Sequence, residues 1–227
     1  MSSPSLTVLI SRIGETQPNL SAQSALLIGL FALVVVALPW YAIAEPFDTM
    51  AHEGAHALAA WAISWPVIDV ELESNGDGGT NLPPRAGRPG AVLVGVVGYL
   101  GPSAGGLLAA WLISKGHSVA VLWLVLVLLG LLLLQVSSFF AVCVVIAAGA
   151  ACYLAIRYAA IGKETVLAYS MAWFLLLSGV RTVLRQGIAA EDAGILQGIT
   201  RLPRLVWFAL WLAGSGYALV TGAKLLI

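Results

Sequence analysis

The chain has 227 residues, 60% of them hydrophobic and 10% charged, with a formal net charge of zero, and its mean hydropathy is +0.95. That balance is too apolar for a water-soluble domain, and it lacks the basic surplus that a nucleic-acid partner demands, so both classes are excluded. The few charges avoid the long apolar runs, as a cost of roughly 2.5–3.5 kcal/mol per mid-bilayer charge requires, and the expected fold is an all-α polytopic membrane protein in contact with the lipid bilayer.

In chain order, residues 1–23 form a polar N-terminal segment whose one apolar burst runs from Leu6 to Ile10. It lacks the basic start and compact apolar core of a secretory signal, so the first insertion signal is the uncleaved segment near 24–44. A shorter helix is expected over 47–63, with Pro46 at its N-terminal position and Asp48 and Glu53 near the positive end of its dipole. It is too short to cross a bilayer fully. It carries His52-Glu53-Gly54-Ala55-His56, which holds two of the 3 histidines in the chain. Positions i and i+4 share one helix face, so both imidazoles reach a single metal ion, and Glu53 stands where it can deprotonate an attacking water. Zinc hydrolases use this pattern with a third ligand and one open position.

Residues 65–90 change character and read as a hairpin-and-loop insertion. Ile68, Val70 and Leu72 alternate with Asp69, Glu71 and Glu73, and Asn75-Gly76-Asp77-Gly78-Gly79 supplies a turn, which predicts a small β-hairpin over 67–82. It is either a plain connector or an edge strand that captures an extended substrate by β-augmentation. The next helix, near 91–113, is crowded by Gly95, Gly98, Gly101, Gly105 and Gly106, with Pro102 expected to kink it. Close helix packing explains the glycines; a bend that opens a wet pocket beside the metal is the functional alternative.

Further membrane helices are expected near 119–135, 138–158, 165–184 and 205–226, about six in all. The pair 119–135 and 138–158 is joined only by Val136, Ser137 and Ser138, as a tight helical hairpin or one kinked helix. Trp40, Trp111, Trp123 and Trp207 fall near helix ends, as interfacial indoles do. Cys143 and Cys152 read as packing residues. With no linker or repeat, residues 24–227 form a single membrane-embedded domain.

The third metal ligand must come from outside the motif. His117, in the turn Lys115-Gly116-His117, reads as a solvated loop residue. Acidic residues are scarce beyond the hairpin, and Glu191 with Asp192 forms the one acidic pair in a short polar break between membrane helices. The preferred reading is a zinc-ligating carboxylate there; an acidic cap on a short helix is the plain alternative. If the motif helix does not cross, residues 45–90 and 185–204 share one face. That face carries Arg85, Arg88, Arg181, Arg185, Arg201 and Arg204 against Arg12, Lys115, Arg157, Lys163 and Lys224, a slight lean to the cytoplasmic side.

Three landmarks carry a family resemblance. Ala51-His52-Glu53-Gly54-Ala55-His56-Ala57 follows a first membrane helix, Gly98-Tyr99-Leu100-Gly101-Pro102 lies in the next, and Glu191-Asp192-Ala193 with Leu196, Thr200 and Pro203 precedes the last. Together they resemble the site-2 protease family of intramembrane zinc metallopeptidases, most of all its compact bacterial branch. The resemblance implies Zn2+ held by His52, His56 and Asp192, Glu53 as the catalytic group, and the hairpin as a β element beside the active site. It also implies a membrane-anchored protein as substrate and a multi-pass protein of a bacterial cytoplasmic membrane. Asp192 lacks the Asn-Pro-Asp-Gly or Leu-Asp-Gly setting of better-known members. No asparagine in an expected helix offers an oxyanion donor, and no inserted peptide-binding domain is present.

A catalytically inactive zinc-binding protein with a structural or regulatory role is the rival reading, and it would not need Glu53; a transporter with an accidental motif is a weaker one. The residues alone leave open Glu191 against Asp192, iron, cobalt or manganese in place of zinc, and the oligomeric state.

Overall fold

A computed structural model describes residues 6–38, 41–84, 87–158 and 162–227; Trp40 and Arg85, singled out above, lie outside them. The elements in order are α1 (Leu6–Ser11), α2 (Ala22–Ala37), α3 (Tyr41–Ala62), β1 (Asp69–Leu72), β2 (Gly78–Asn81), α4 (Arg88–Ser114), α5 (Ser118–Leu133), α6 (Phe139–Tyr158), α7 (Lys163–Gln186), a 3-10 turn (Gly187–Ala189), α8 (Glu191–Thr200) and α9 (Arg204–Leu226).

Four of these helices, α4, α6, α7 and α9, are long and apolar enough to cross a membrane. A fifth span exists if α2 and α3 count as one, although their axes differ by 97°. The sequence pattern pointed to six. The difference lies in α2 and α5, each of 16 residues, since such a helix is roughly 24 Å long against a hydrocarbon core of about 30 Å.

The motif helix also differs from expectation. α3 begins at Tyr41, so Pro46 lies inside it rather than at its start. A proline at the sixth position takes the intrahelical donor away from the carbonyl of Ala42, which lies at the exposed start of the helix. The first residues are held by side chains, as the contacts of Asp48 below show.

α4 is the central helix and runs as one helix through Pro102, packing against α3, α7 and α9. The largest apolar cluster gathers Ile113, Leu122, Tyr169 and Leu176 between α4, α5 and α7. A second, nearer the motif, joins Tyr99, Val183, Leu196, Trp207 and Trp211 from α4, α7, α8 and α9. Side chains such as Leu27, Phe31 and Val220 are exposed on the outer faces, where lipid replaces water as their solvent.

The polar N-terminal segment is anchored rather than free. Arg12 pairs with the buried Glu164 at 2.7 Å and donates to Ile156 O at 2.9 Å. Gln17 N donates to Gly116 O at 2.7 Å, and Gln17 Oε1 accepts from Val119 N at 3.0 Å. This segment closes the end of the bundle where α4 finishes and α5 begins.

The β-hairpin forms as its alternation predicts, with Asp69 opposite Asn81, Val70 opposite Thr80, Glu71 opposite Gly79 and Leu72 opposite Gly78. Gly76 supplies the positive φ of its turn, at 92°, a conformation that side chains resist. The outer edge of β1 is occupied: Val70 N donates to Gln135 O at 2.9 Å and Ser137 N to Val70 O at 3.1 Å. Ser138 Oγ adds a bond from Leu72 N at 3.2 Å and one to Leu72 O at 2.8 Å. Backbone groups alternate sides along an antiparallel pair, so Thr80 and Gly78, opposite Val70 and Leu72, direct theirs to the other edge of β2. Among the described residues that edge carries no further strand.

Candidate active site and metal centre

His52 and His56 stand one turn apart on α3, and a short helix brings a carboxylate to them. His52 Nε2 and His56 Nε2 are 3.0 Å apart. Asp192 Oδ2, in the first turn of α8, lies 3.4 Å from His52 Nε2 and 3.2 Å from His56 Nε2. Three donors bound tetrahedrally at about 2.0–2.1 Å from zinc sit about 3.3 Å from one another. The observed separations therefore match the edge of such a tetrahedron. The donor set, two imidazoles and one carboxylate, suits zinc with one position left open. Among the described residues, this is the group of three whose ligand atoms converge within 4.8 Å.

The surroundings orient these three side chains. His56 Nδ1 lies 2.9 Å from Val94 O; a carbonyl only accepts, so Nδ1 carries the proton and Nε2 presents its lone pair to the centre. α4 comes this close because of Gly98: a Cβ there would run into the His56 ring, and within 3.0 Å of His52 Cε1. Gly101 meets Ala55 in the same way, so any side chain would push α4 off α3. Tyr99 packs edge-on against His52, with ring centroids 4.5 Å apart. It stacks in turn on Trp211 at 4.4 Å, whose Nε1 donates to Val96 O at 3.0 Å. For Asp192, burial opposes the charge, but protonated His52 and His56 rings outweigh it through hydrogen bonds and charge and hold the carboxyl well below the usual carboxylate range; a metal ion on the two Nε2 lone pairs would supply that positive charge in their place. Asp192 is thus an anion, as a metal ligand must be.

Across the cleft stands the hairpin. Glu53 is buried, at 6% exposure, and Thr80 Oγ1 of β2 lies 2.8 Å from its Oε2 and 3.0 Å from its backbone O. Thr49 Oγ1 donates to Gly76 O at 3.0 Å, which ties the turn to α3. Between these walls lies a cleft of about 790 Å³ that His52, Glu53, His56, Thr80, Tyr99 and Asp192 help to line. At its rim Arg185 of α7 pairs with Glu45 of α3.

Of the residues marked out in the sequence, His52, His56 and Asp192 come together, and Glu53 lines the same cleft. Glu191 is exposed at the start of α8 and lies outside the converging group. His117 is the N-cap residue of α5, at the opposite end of α4 from the cleft, and is half-buried rather than solvated.

Asp48, which the sequence marks only as a favourable charge near the start of the helix, proves to be a brace. It is buried at 3% exposure and accepts three hydroxyl hydrogen bonds, from Tyr41 at 2.7 Å, Ser178 at 2.6 Å and Thr182 at 2.5 Å. These tie the start of α3 to α7, the helix that leads into α8. An acid one turn before His52, in an otherwise apolar stretch, was the available signal.

A family model described as Peptidase M50B-like matches residues 24–222 of the chain. No curated protein and no solved structure matches it.

Proposed function

The chain belongs to the peptidase M50B-like family, within the site-2 protease type, and from that premise we propose that it is a zinc endopeptidase cutting membrane-anchored protein substrates within or beside the bilayer. The observation that carries this reading is the spacing of His52 Nε2, His56 Nε2 and Asp192 Oδ2, at 3.0, 3.2 and 3.4 Å. His52, His56 and Asp192 hold the metal in this reading. Zinc bound there supplies Lewis-acid stabilisation for an attacked carbonyl and makes water a better acid.

The protein's own groups do the rest. Glu53 accepts the proton of the attacking water as its oxygen bonds to the peptide carbon, then returns that proton to the departing amine as the C–N bond breaks. The substrate must be extended, because a helical backbone hides its carbonyls in hydrogen bonds. Gly78 and Thr80 offer N–H and C=O groups along the free edge of β2, which suits an extended segment adding as a third strand. Such pairing lays the segment across the cleft in which Glu53 stands.

Elemental analysis of the detergent-purified protein tests the centre. The expected result is about one zinc per chain in wild type and a strong loss in His56→Ala and Asp192→Ala. Zinc lost in His56→Ala alone would move the third ligand away from Asp192, with Glu191 next in line. A wild type that binds no supplied zinc would end the reading as a metallopeptidase.

A further inference from the structure

Thr80 belongs to both walls of the cleft. Its hydroxyl reaches Glu53, at 2.8 Å from Oε2 and 3.0 Å from the backbone oxygen. Its N–H and C=O lie in the plane of the sheet and point to the open edge of β2, because its partner Val70 directs its own to Gln135 and Ser137. Gly78 permits this closeness: a Cβ there would lie 2.6 Å from Thr49 Cγ2 and 3.2 Å from Glu53 Cγ. Gly78 therefore packs directly on the Thr49 and Glu53 side chains of the motif helix.

We propose that Thr80 is a positioning residue for Glu53, one that couples the aim of the general base to the strand edge on which substrate would pair. The proposal rests on the reading of Glu53 as that base. A glutamate has three side-chain torsions, and a base that wanders among them is misaligned for most of its time. Among the described residues, Thr80 is the side chain that hydrogen-bonds the Glu53 carboxylate. Its one O–H proton can go to Oε2 at 2.8 Å or to the Glu53 backbone oxygen at 3.0 Å, and the shorter contact engages Oε2 rather than Oε1. A hydroxyl that donates to a carboxylate makes a charge-assisted bond, about twice as strong as a neutral one.

Coupling follows from the shared residue. A peptide paired with the Thr80 backbone holds β2 against α3, and the same residue then holds Glu53. β1 cannot yield, because Ser138 and the backbone of Gln135 and Ser137 fix its far edge. Removing the hydroxyl leaves the backbone edge intact. Binding should survive and turnover should fall.

The test uses the full chain, zinc-loaded in detergent, with casein as an unfolded probe substrate. Thr80→Val, which keeps the shape and loses the donor, should lower kcat about tenfold or more while KM stays within about twofold. Thr80→Ser should keep at least about half of wild-type kcat. Wild-type kcat in Thr80→Val, an equal loss in both variants, or a change in KM alone would overturn the proposal.

Hydrogen exchange of segment 73–82 supplies a readout that needs no turnover. Thr80→Val and Glu53→Ala should each speed exchange, and the double variant should add nothing beyond either. Additive effects would show that the contact does not hold the strand and would overturn it. Failure of the protease reading looks different: a zinc-loaded wild type that leaves casein intact while the exchange cycle still shows coupling. That outcome removes the base, and Thr80's role with it.

Discussion

The cleft has two unlike walls. On one side α3, α4 and α8 meet with no slack: Gly98 admits the His56 ring, Gly101 admits Ala55, and Val94 O fixes His56 Nδ1 at 2.9 Å. On the other side a two-stranded hairpin is joined to α3 by two threonine hydroxyls, Thr49 and Thr80. A metal centre needs donors fixed to a few tenths of an ångström, which close-packed helices provide. A site for varied peptides needs a backbone edge that can settle against each of them, which a hairpin provides. The division separates what must not move from what should.

The sharpest cut between the walls falls at Glu53, which belongs to both. Glu53→Gln keeps the shape and a carbonyl acceptor for Thr80 but removes the base. Turnover of a membrane-anchored substrate should fall about 10²- to 10⁴-fold, as loss of a general base does, while zinc content stays at the wild-type level. Single-turnover cleavage alongside metal analysis checks it. Zinc lost together with activity would mean that Glu53 serves the helical wall after all.

How much of this could be read in advance follows the same division. The pair His52 and His56 was legible because helix periodicity alone puts i and i+4 on one face. The hairpin was legible too: the alternation from Ile68 to Glu73 and the glycine-rich turn are local codes. From the residues alone Asp192 was visible only as one of an acidic pair, because nothing local says which of two neighbours turns inward on α8; the family resemblance singled it out. The bracing role of Asp48 was hidden for a related reason. Its meaning lies in Ser178 and Thr182 on a distant helix, and its own neighbourhood suggested only a favourable dipole. Pro46 misled the reading of where α3 begins, since prolines favour first turns but are tolerated later when packing compensates. The expected six spans exceed the four or five long apolar helices because apolar composition continues past the ends of α2 and α5, at Ala37 and Leu133.

Packing on the helical wall is broken most directly at Gly98. A methyl group in Gly98→Ala must displace the His56 ring or separate α4 from α3. Zinc affinity should drop about 10- to 100-fold, the range seen when the support of a metal ligand is disturbed. Competition with a chelator measures it. Gly130→Ala is the matched control, because a Cβ at Gly130 meets nothing within 4 Å; it should leave affinity unchanged. Equal affinities in both would show that α4 yields easily and that the contrast between walls is overdrawn.

Asp48 probes whether the helical wall is braced from behind. Asp48→Asn removes the charge to which Tyr41, Ser178 and Thr182 donate. Hydrogen bonds to a buried charge are worth about 1.5–3 kcal/mol, so the detergent-solubilised protein should unfold at a lower temperature. Because α7 leads into the helix that bears Asp192, zinc should protect this variant less than wild type. Unchanged thermal stability would mean that α3 is placed by Gly98 and Gly101 alone.

The smallest effect belongs to the hairpin's outer anchor. Ser138→Ala removes the hydroxyl that accepts from Leu72 N and donates to Leu72 O, leaving β1 held by Gln135 and Ser137. Each such hydrogen bond contributes about 0.5–1.5 kcal/mol, and the loss of those to Leu72, with the one from Ala141 N, is enough to speed hydrogen exchange at Leu72 but not to detach the strand. Zinc affinity should not change, since among the described residues no hydrogen bond or ion pair joins His52, His56 or Asp192 to the hairpin. Cleavage should slow a few-fold at most, and more for substrates that depend on pairing along β2. A Ser138→Ala variant with weakened zinc binding would contradict the separation of the two walls, because the signal would have to cross from strand to helix through Thr80 and Glu53.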